Sequence, residues 1–307
     1  MNVLDWLLAG DPAIRWQAMR DLADADDEVV AAERARVATE GWGARLLAAR
    51  GPDGLWAGGA LVPAGFDWDF SAGQPWTATE PSLTLLRLFG VEPGAVRDVV
   101  ARVAATCRWE YDDLPFFGGE VEPCINGRTV ALGVYFGQDV TPIVDRLRAE
   151  QLADGGWNCA AERGSVRSSF DTTINVLEGL LAFEQAFGGE SETRRRGEEY
   201  LLARGLFRRL STGEVVDPAY LQFSFPPRWH YDVLRGLDYF RAAGDPPDPR
   251  LAEALELLGS KQQPEGTWLS ENPHRGRVHF PLEPDGQPSR WNTLRTQRVL
   301  RWSAGNT

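Results

Sequence analysis

The sequence predicts an all-α fold, a closed (α/α)6 barrel of six inner and six outer helices. Three observations predict it: apolar residues recur at helical spacing through most of the chain, short and long connections alternate, and one turn-and-helix unit returns in altered form along it. The alternation says most. Twelve helical segments, joined in turn by a few residues and by long Gly/Pro-rich loops, describe six antiparallel hairpins. A chain of hairpins whose inner helices must each bury two faces can close into a ring. Closure removes the polar end caps that an open solenoid requires. Residues 1–307 are read as one such domain.

Val3 to Ala9 is a short helix stopped by Gly10. Asp11-Pro12 then supplies an N-cap and a proline at the first helical position, opening a helix to Ala25. Glu28 to Arg50 is one long helical segment, with Gly41 and Gly43 as points of interruption. After the turn Gly51 to Trp56 and a long loop, Thr79-Glu80-Pro81 opens a Leu-rich helix that ends at Gly90. Ala95 to Arg108, Asn126 to Phe136 and Pro142 to Leu152 continue the alternation. Ser168, Ser169, Asp171 and Thr172 are a capping run for the helix to Phe187, whose Ile174, Leu177, Leu180 and Leu181 share one face. Glu192 to Leu206, Trp229 to Ala243, Pro249 to Gln263 and a last helix from Ser289 complete the set. The helices entered through long loops start near residues 13, 81, 126, 169, 229 and 290, roughly 40 to 70 residues apart. No run reads as a strand beyond short pieces such as Glu214 to Val216.

The bulk properties narrow the function classes. A net charge of −12, from 32 basic and 44 acidic residues, with no basic stripe, excludes nucleic acid and anionic membrane surfaces as expected partners. Arg194, Arg195 and Arg196 stand among Glu190, Glu192, Glu198 and Glu199 and are read as a solvated outer helix face. No apolar run approaches the roughly 18 residues of a membrane span. The N-terminus MNVLDWLLAGDP lacks the basic segment of a signal peptide. Three cysteines, an odd number, argue against a disulfide framework and for a reducing cytoplasm.

The repeated unit is clearest at Gln151, Gly155 and Trp157 (QLADGGW); Gln262, Gly266 and Trp268 keep its spacing, and Arg50, Gly54 and Trp56 keep it with Arg in place of Gln. This Gln-x-x-x-Gly-x-Trp pattern resembles the repeat of squalene–hopene and oxidosqualene cyclases, shared loosely with protein prenyltransferase β-subunits. The resemblance implies the α-toroid, with an apolar ligand cavity where the inner helices start. The cyclases begin catalysis with Asp-x-Asp-Asp-Thr; here the corresponding run is Ser168-Ser169-Phe170-Asp171-Thr172, with Phe170 at the place of the protonating Asp. The prenyltransferases hold zinc on Asp-x-Cys plus a His, and no Asp-x-Cys occurs.

If the long-loop helices form the inner ring, their first turns converge on one mouth. Trp76, Glu80, Asn126, Trp229, Tyr231, Trp291, Asn292 and Arg295 are the expected ligand-binding residues there, an aromatic wall over a polar floor. Asp171, His230 and Asp232 are the candidate acid–base groups. Cys124 and Cys159, with Asp171 and His230, form a candidate zinc set of soft S with N and O ligands. His274 and His279 lie in a loop able to cover the mouth. The expected function is binding of a small, largely apolar organic ligand by an enzyme of isomerase, lyase or transferase type. A non-catalytic ligand-binding or protein-interaction toroid is the rival.

Overall fold

The computed structural model describes residues 2–189 and 191–305, and these are helical apart from one short strand pairing. The helices are α1 (Val3–Leu8), α2 (Pro12–Asp21), α3 (Asp27–Ala35), α4 (Gly41–Ala48), α5 (Thr79–Phe89), α6 (Arg97–Thr106), α7 (Pro123–Phe136), α8 (Thr141–Ala149), α9 (Phe170–Phe187), α10 (Glu192–Leu202), α11 (Val233–Ala243), α12 (Ala252–Ser260) and α13 (Arg290–Ser303). Strands β1 (Trp268–Leu269) and β2 (Pro288–Ser289) pair antiparallel. The all-α expectation holds.

The helices expected to be inner, α2, α5, α7, α9, α11 and α13, touch one another in that order, and α13 touches α2; five of them follow long loops, whereas α2 follows α1 directly after residues 9–11. Their contacts therefore run round a closed circuit. At the seam, Arg298 pairs with Asp21 and donates to Gln17 Oε1 at 2.7 Å, while Arg301 reaches Asp24 at 2.8 Å. Two apolar cores flank the circuit's interior, one around α2, α5 and α6, the other around α9 to α12. Helices α7 and α9 approach most closely, through Gly127 and Gly179. A Cβ on Gly127 would stand 2.3 Å from the Asn175 carbonyl oxygen, and one on Gly179 would stand 2.3 Å from that of Gly127.

The Trp turns explain how the circuit is held. In each, a backbone hydrogen bond closes the turn: Gly51 to Leu55 (2.7 Å), Leu152 to Gly156 (2.9 Å) and Gln263 to Thr267 (2.8 Å). Gly54, Gly155 and Gly266 take φ of +83°, +95° and +82°, a region that only glycine enters without strain. The buried indoles of Trp56, Trp157 and Trp268 then donate to Leu46, Leu147 and Leu258 at 2.7–2.8 Å, carbonyls at the ends of α4, α8 and α12. Their backbone N–H groups donate to Thr79, Thr173 and Thr293, at the starts of α5, α9 and α13. Each Trp thus ties the end of an outer helix to the start of the next inner one. Gln151 adds bonds to the carbonyls of Gly155 and Thr193 at 2.6 and 2.7 Å. A second loop type, with β-bridges Arg108–Pro115 and Arg208–Val215, precedes α7 and α11. The two loop types alternate round the circuit.

Glu28 to Arg50 is interrupted before Gly41, one of the two expected points, where Asp11 accepts from Trp42 N–H at 2.8 Å while also capping α2 at Ala13 N–H (2.9 Å). Two expectations need correction. The helix expected from Trp229 starts at Val233, because Asp232 is its N-cap and accepts from Arg235 N–H at 2.7 Å. Arg194 is not on a solvated face. It is 3% exposed, and it pairs with Glu184 of α9 at 2.6 Å and with Glu198. Glu190 lies outside the described residues.

Candidate functional site

The inner-helix starts frame a mouth, and long loops cover it in part, leaving an open recess of about 530 Å³ bordered by Trp76, Trp229, His230 and His274. Trp76 donates from its backbone to Arg277 (2.7 Å) and from its indole to Arg275 (3.0 Å), so the loop before α5 and the loop before α13 are stitched together. The Trp229 indole donates to Gln74 Oε1 at 2.9 Å, and His279 meets Ser82 Oγ at 3.0 Å. The His230 ring is stacked between Trp229 and His274, with centroids 3.7 and 3.9 Å away. Burial, with Arg235 nearby, pushes the His230 imidazole down to about 4; burial, with His230 beside it, pushes His274 down to about 3. Both are neutral at pH 7.

Asp171 does not cap its own helix. Ser169 does, accepting from Thr172 N–H at 3.1 Å. The Asp171 carboxylate instead accepts from Tyr231 N–H (2.7 Å) and from the Tyr220 hydroxyl (2.9 Å), fastening the loop before α11. Burial raises its pKa, and these two bonds oppose the rise. Among the described residues no hydrogen bond joins Asp171 to His230. Asp232 is 2% exposed and serves as a cap. The expected acid–base groups are therefore near one another but are each engaged elsewhere.

Several expected ligand-binding residues hold backbone instead. Asn126 exchanges two hydrogen bonds with Glu120, at 2.6 and 2.7 Å. Asn292 donates to Phe223 and Leu269 at 2.8 Å each. Tyr231 packs against Phe170 and Tyr220, and Phe170 itself is 3% exposed in a ring of three tyrosines. Trp76, Glu80 and Trp229 border other pockets, and Trp291 and Arg295 reach a cavity.

That cavity, of about 240 Å³, lies inside the circuit and is not the expected apolar one. Arg87, Arg128, Arg228, Arg235, Arg241, Arg295 and Arg298 line it beside Phe225, Trp291 and Leu181. Five of these arginines share four carboxylates. Arg235 pairs with Glu178 at 2.7 Å, and Arg241 and Arg295 share Asp238 at 2.7 and 3.6 Å. Arg128 meets Glu80 at 3.1 Å, and Arg298 pairs with Asp21. The side chains of Arg87 and Arg228 have no hydrogen-bond or ion-pair partner among the described residues; Arg228 lies over the Trp76 ring at 5.0 Å. Burial lowers both guanidinium groups, Arg228 to about 9.

No protein-family model matches the chain, and no curated protein matches it.

The lumen arginines had a signal in the sequence. Arg235, Asp238 and Arg241, and Arg295 and Arg298, recur at helical spacing on helices predicted to be inner. A charged stripe on a helix buried on both sides has only the lumen to face.

A second cavity, of about 280 Å³, opens between the starts of α7 and α9. Cys124, Cys159 and Glu122 line it, and their ligating atoms all lie within 4.8 Å of one another. Cys124 Sγ is 3.5 Å from Glu122 Oε2, and Thr172 Oγ1–H donates to Cys159 Sγ at 3.4 Å. The neighbouring Cys159, with burial, raises the Cys124 pKa, and Cys124 in turn lowers that of Cys159; the Cys124 thiol itself donates to Glu122 Oε2. The structure thus gathers the two expected cysteines but joins them to Glu122, not to Asp171 and His230.

Proposed function

We propose that the chain is a closed toroid of six helical hairpins that binds a small, multiply anionic organic molecule in its lumen. The observation that carries this reading is the excess of seven guanidinium groups over four carboxylates in an enclosed space, with Arg87 and Arg228 unmatched. Unpaired charge away from bulk water is costly, and an anion that completes the set removes the cost. A planar guanidinium favours carboxylate or phosphate oxygens. Phe225, Trp291 and Leu181 offer the rest of the ligand an apolar wall, so the expected apolar ligand is narrowed to an amphipathic one with an anionic head. Acid–base chemistry by Asp171 and His230 is the weaker reading: each borders a cavity, but the carboxylate is committed to Tyr220 and Tyr231 and the imidazole to a ring stack.

The test is a thermal-shift and calorimetric titration with diphosphate, citrate and a neutral polyol of similar size. An anion at 100 times its Kd adds about 2.7 kcal/mol, which for a chain of this length raises Tm by roughly 4 °C. Arg87→Gln and Arg228→Gln should each weaken the anion and leave the apo protein folded. Equal responses to the polyol and the anions, or unchanged affinity in both variants, would refute the reading.

A further inference from the structure

The second cavity carries an inference independent of the lumen. We propose that Cys124, Cys159 and Glu122 form an open three-ligand site for a thiophilic d10 cation, zinc(II), with the fourth coordination position facing the cavity between α7 and α9.

Three groups that suit this ion converge from two repeats. Glu122 is the N-cap residue of α7 and Cys124 is in its first turn, while Cys159 opens the short 3-10 turn that follows the Trp157 turn. Two backbone features fix the second sulfur. Cys159 N–H donates to Thr172 Oγ1 at 3.3 Å, and the Asn158 side chain accepts from Ala160 N–H at 2.8 Å. Zinc–sulfur and zinc–oxygen bonds of about 2.3 and 2.1 Å in tetrahedral geometry place S and O about 3.6 Å apart. The Cys124–Glu122 distance is 3.5 Å. That pair thus stands at the edge length of a coordination tetrahedron, all three ligating atoms lie within 4.8 Å of one another, and both cysteines are free thiols.

Cys159 and burial hold the Cys124 thiol well above its ordinary pKa, and two features of the surroundings oppose that rise. Cys124 sits at the N-terminus of a 14-residue helix, where the helix dipole stabilises a thiolate. Arg128 lines the same cavity and acts on Cys124 in the same sense. The Thr172 hydroxyl donates to Cys159 and orients its sulfur, the role that hydrogen bonds behind metal ligands usually play. On binding, the cation displaces the two thiol protons, one from each cysteine, and both leave to solvent. Two thiolates and a carboxylate carry three negative charges against two positive ones, and Arg128, which also meets Glu80, stands at the same cavity beside the remaining one. Trp229 and Asp171 also line the cavity, so a water or a ligand oxygen on the fourth position would meet an aromatic wall and a carboxylate. Three protein ligands with one open position is the arrangement of catalytic rather than structural zinc.

The experiment uses the full chain, purified without a metal-affinity tag and kept reduced. Cobalt(II) should bind at one equivalent per chain and give sulfur-to-cobalt charge-transfer bands, and zinc(II) should displace it. Cys124→Ser and Cys159→Ser should each abolish those bands and weaken zinc binding at least tenfold, while Glu122→Gln keeps the bands and weakens zinc. Circular dichroism checks that each variant is folded; if Cys124→Ser unfolds, Cys159→Ser, at a half-buried residue, carries the test. Lumen binding of diphosphate should be unchanged in Cys159→Ser. Absence of charge-transfer bands, or bands that persist in both serine variants, overturns the proposal. So does a single reactive thiol in denatured, unreduced protein, which would mean that Cys124 and Cys159 are joined as a disulfide.

Discussion

Replacing Trp157 by Phe should destabilise the protein more than the same change at Trp56 or Trp268, although all three indoles are buried and make the same bond. Phe keeps most of the buried ring and removes the N–H, so the cost depends on the carbonyl left behind. Leu46 and Leu258 also accept from backbone N–H groups, those of Ala49 (3.2 Å) and Lys261 (3.3 Å). Leu147, in the last turn of α8, has the Trp157 indole at 2.7 Å, and the N–H that closes that turn, from Glu150, goes to Arg146 instead. Removing the indole therefore orphans a buried carbonyl at one site and not at the other two. An unsatisfied buried acceptor costs about 1–3 kcal/mol, whereas a bond lost from an acceptor that keeps another costs about 1 kcal/mol. Trp157→Phe should thus cost at least about 1 kcal/mol more than Trp268→Phe, and Trp157→Ala about 3–5 kcal/mol in total. Urea unfolding of the three Phe variants, with m unchanged, measures this. Three equal midpoint shifts would refute the reasoning.

Gly127→Ala should cost about 3 kcal/mol, because its Cβ meets the α9 backbone, whereas Gly259→Ala, in a helix and with nothing within 4 Å, should stabilise by roughly 0.5–1 kcal/mol; urea midpoints compare them. His230 and His274 are buried neutral, so their contribution is full above about pH 6.5 and is lost as pH falls towards 4. At pH 5 the loss is about 2 kcal/mol for His230, and a double replacement by Phe, which keeps the stack, should flatten this limb of a stability–pH curve. The raised carboxyl of Asp171 acts with the opposite sign, gaining its proton early as pH falls. Asp171→Asn should cost about 1–2 kcal/mol through its bonds to Tyr220 and Tyr231, yet leave diphosphate affinity in the lumen unchanged; lost affinity in a calorimetric titration would place Asp171 in the ligand site.

The helix order and the Trp turns were legible because both depend on local chemistry. A positive-φ glycine two residues before a Trp, followed by a capped helix, is written within some 25 residues. Roles that depend on a distant partner were not legible. Arg194 looks solvated among its own glutamates, and only the return of Glu184 from α9 buries it. Asp171 looks like a helix cap until Tyr220 and Tyr231 arrive from the loop ahead of α11. Cys124 and Cys159 could be singled out as soft ligands, but their third neighbour, Glu122, is a carboxylate among many until α7 and the Trp157 turn meet. The lumen's charge was legible in part: Arg295 stands among the expected site residues and Arg235, Asp238, Arg241 and Arg298 recur at helical spacing, but Arg87 and Arg228 resemble ordinary surface residues until the elements that carry them are brought to the lumen.

The contact between α13 and α2 also bears on how the molecule comes apart. An open stack of hairpins frays from its two ends, because the terminal units have one neighbour each. In the circuit every hairpin has two, so no unit is free to melt alone without costing its neighbours an interface. The one joint that no peptide bond crosses is the seam, held by Arg298 on Asp21, Arg301 on Asp24 and the stack of Trp291 on Trp42. Amide exchange should therefore show protection rising and falling together in all six inner helices, with the first partial opening at that seam rather than at a loop tip.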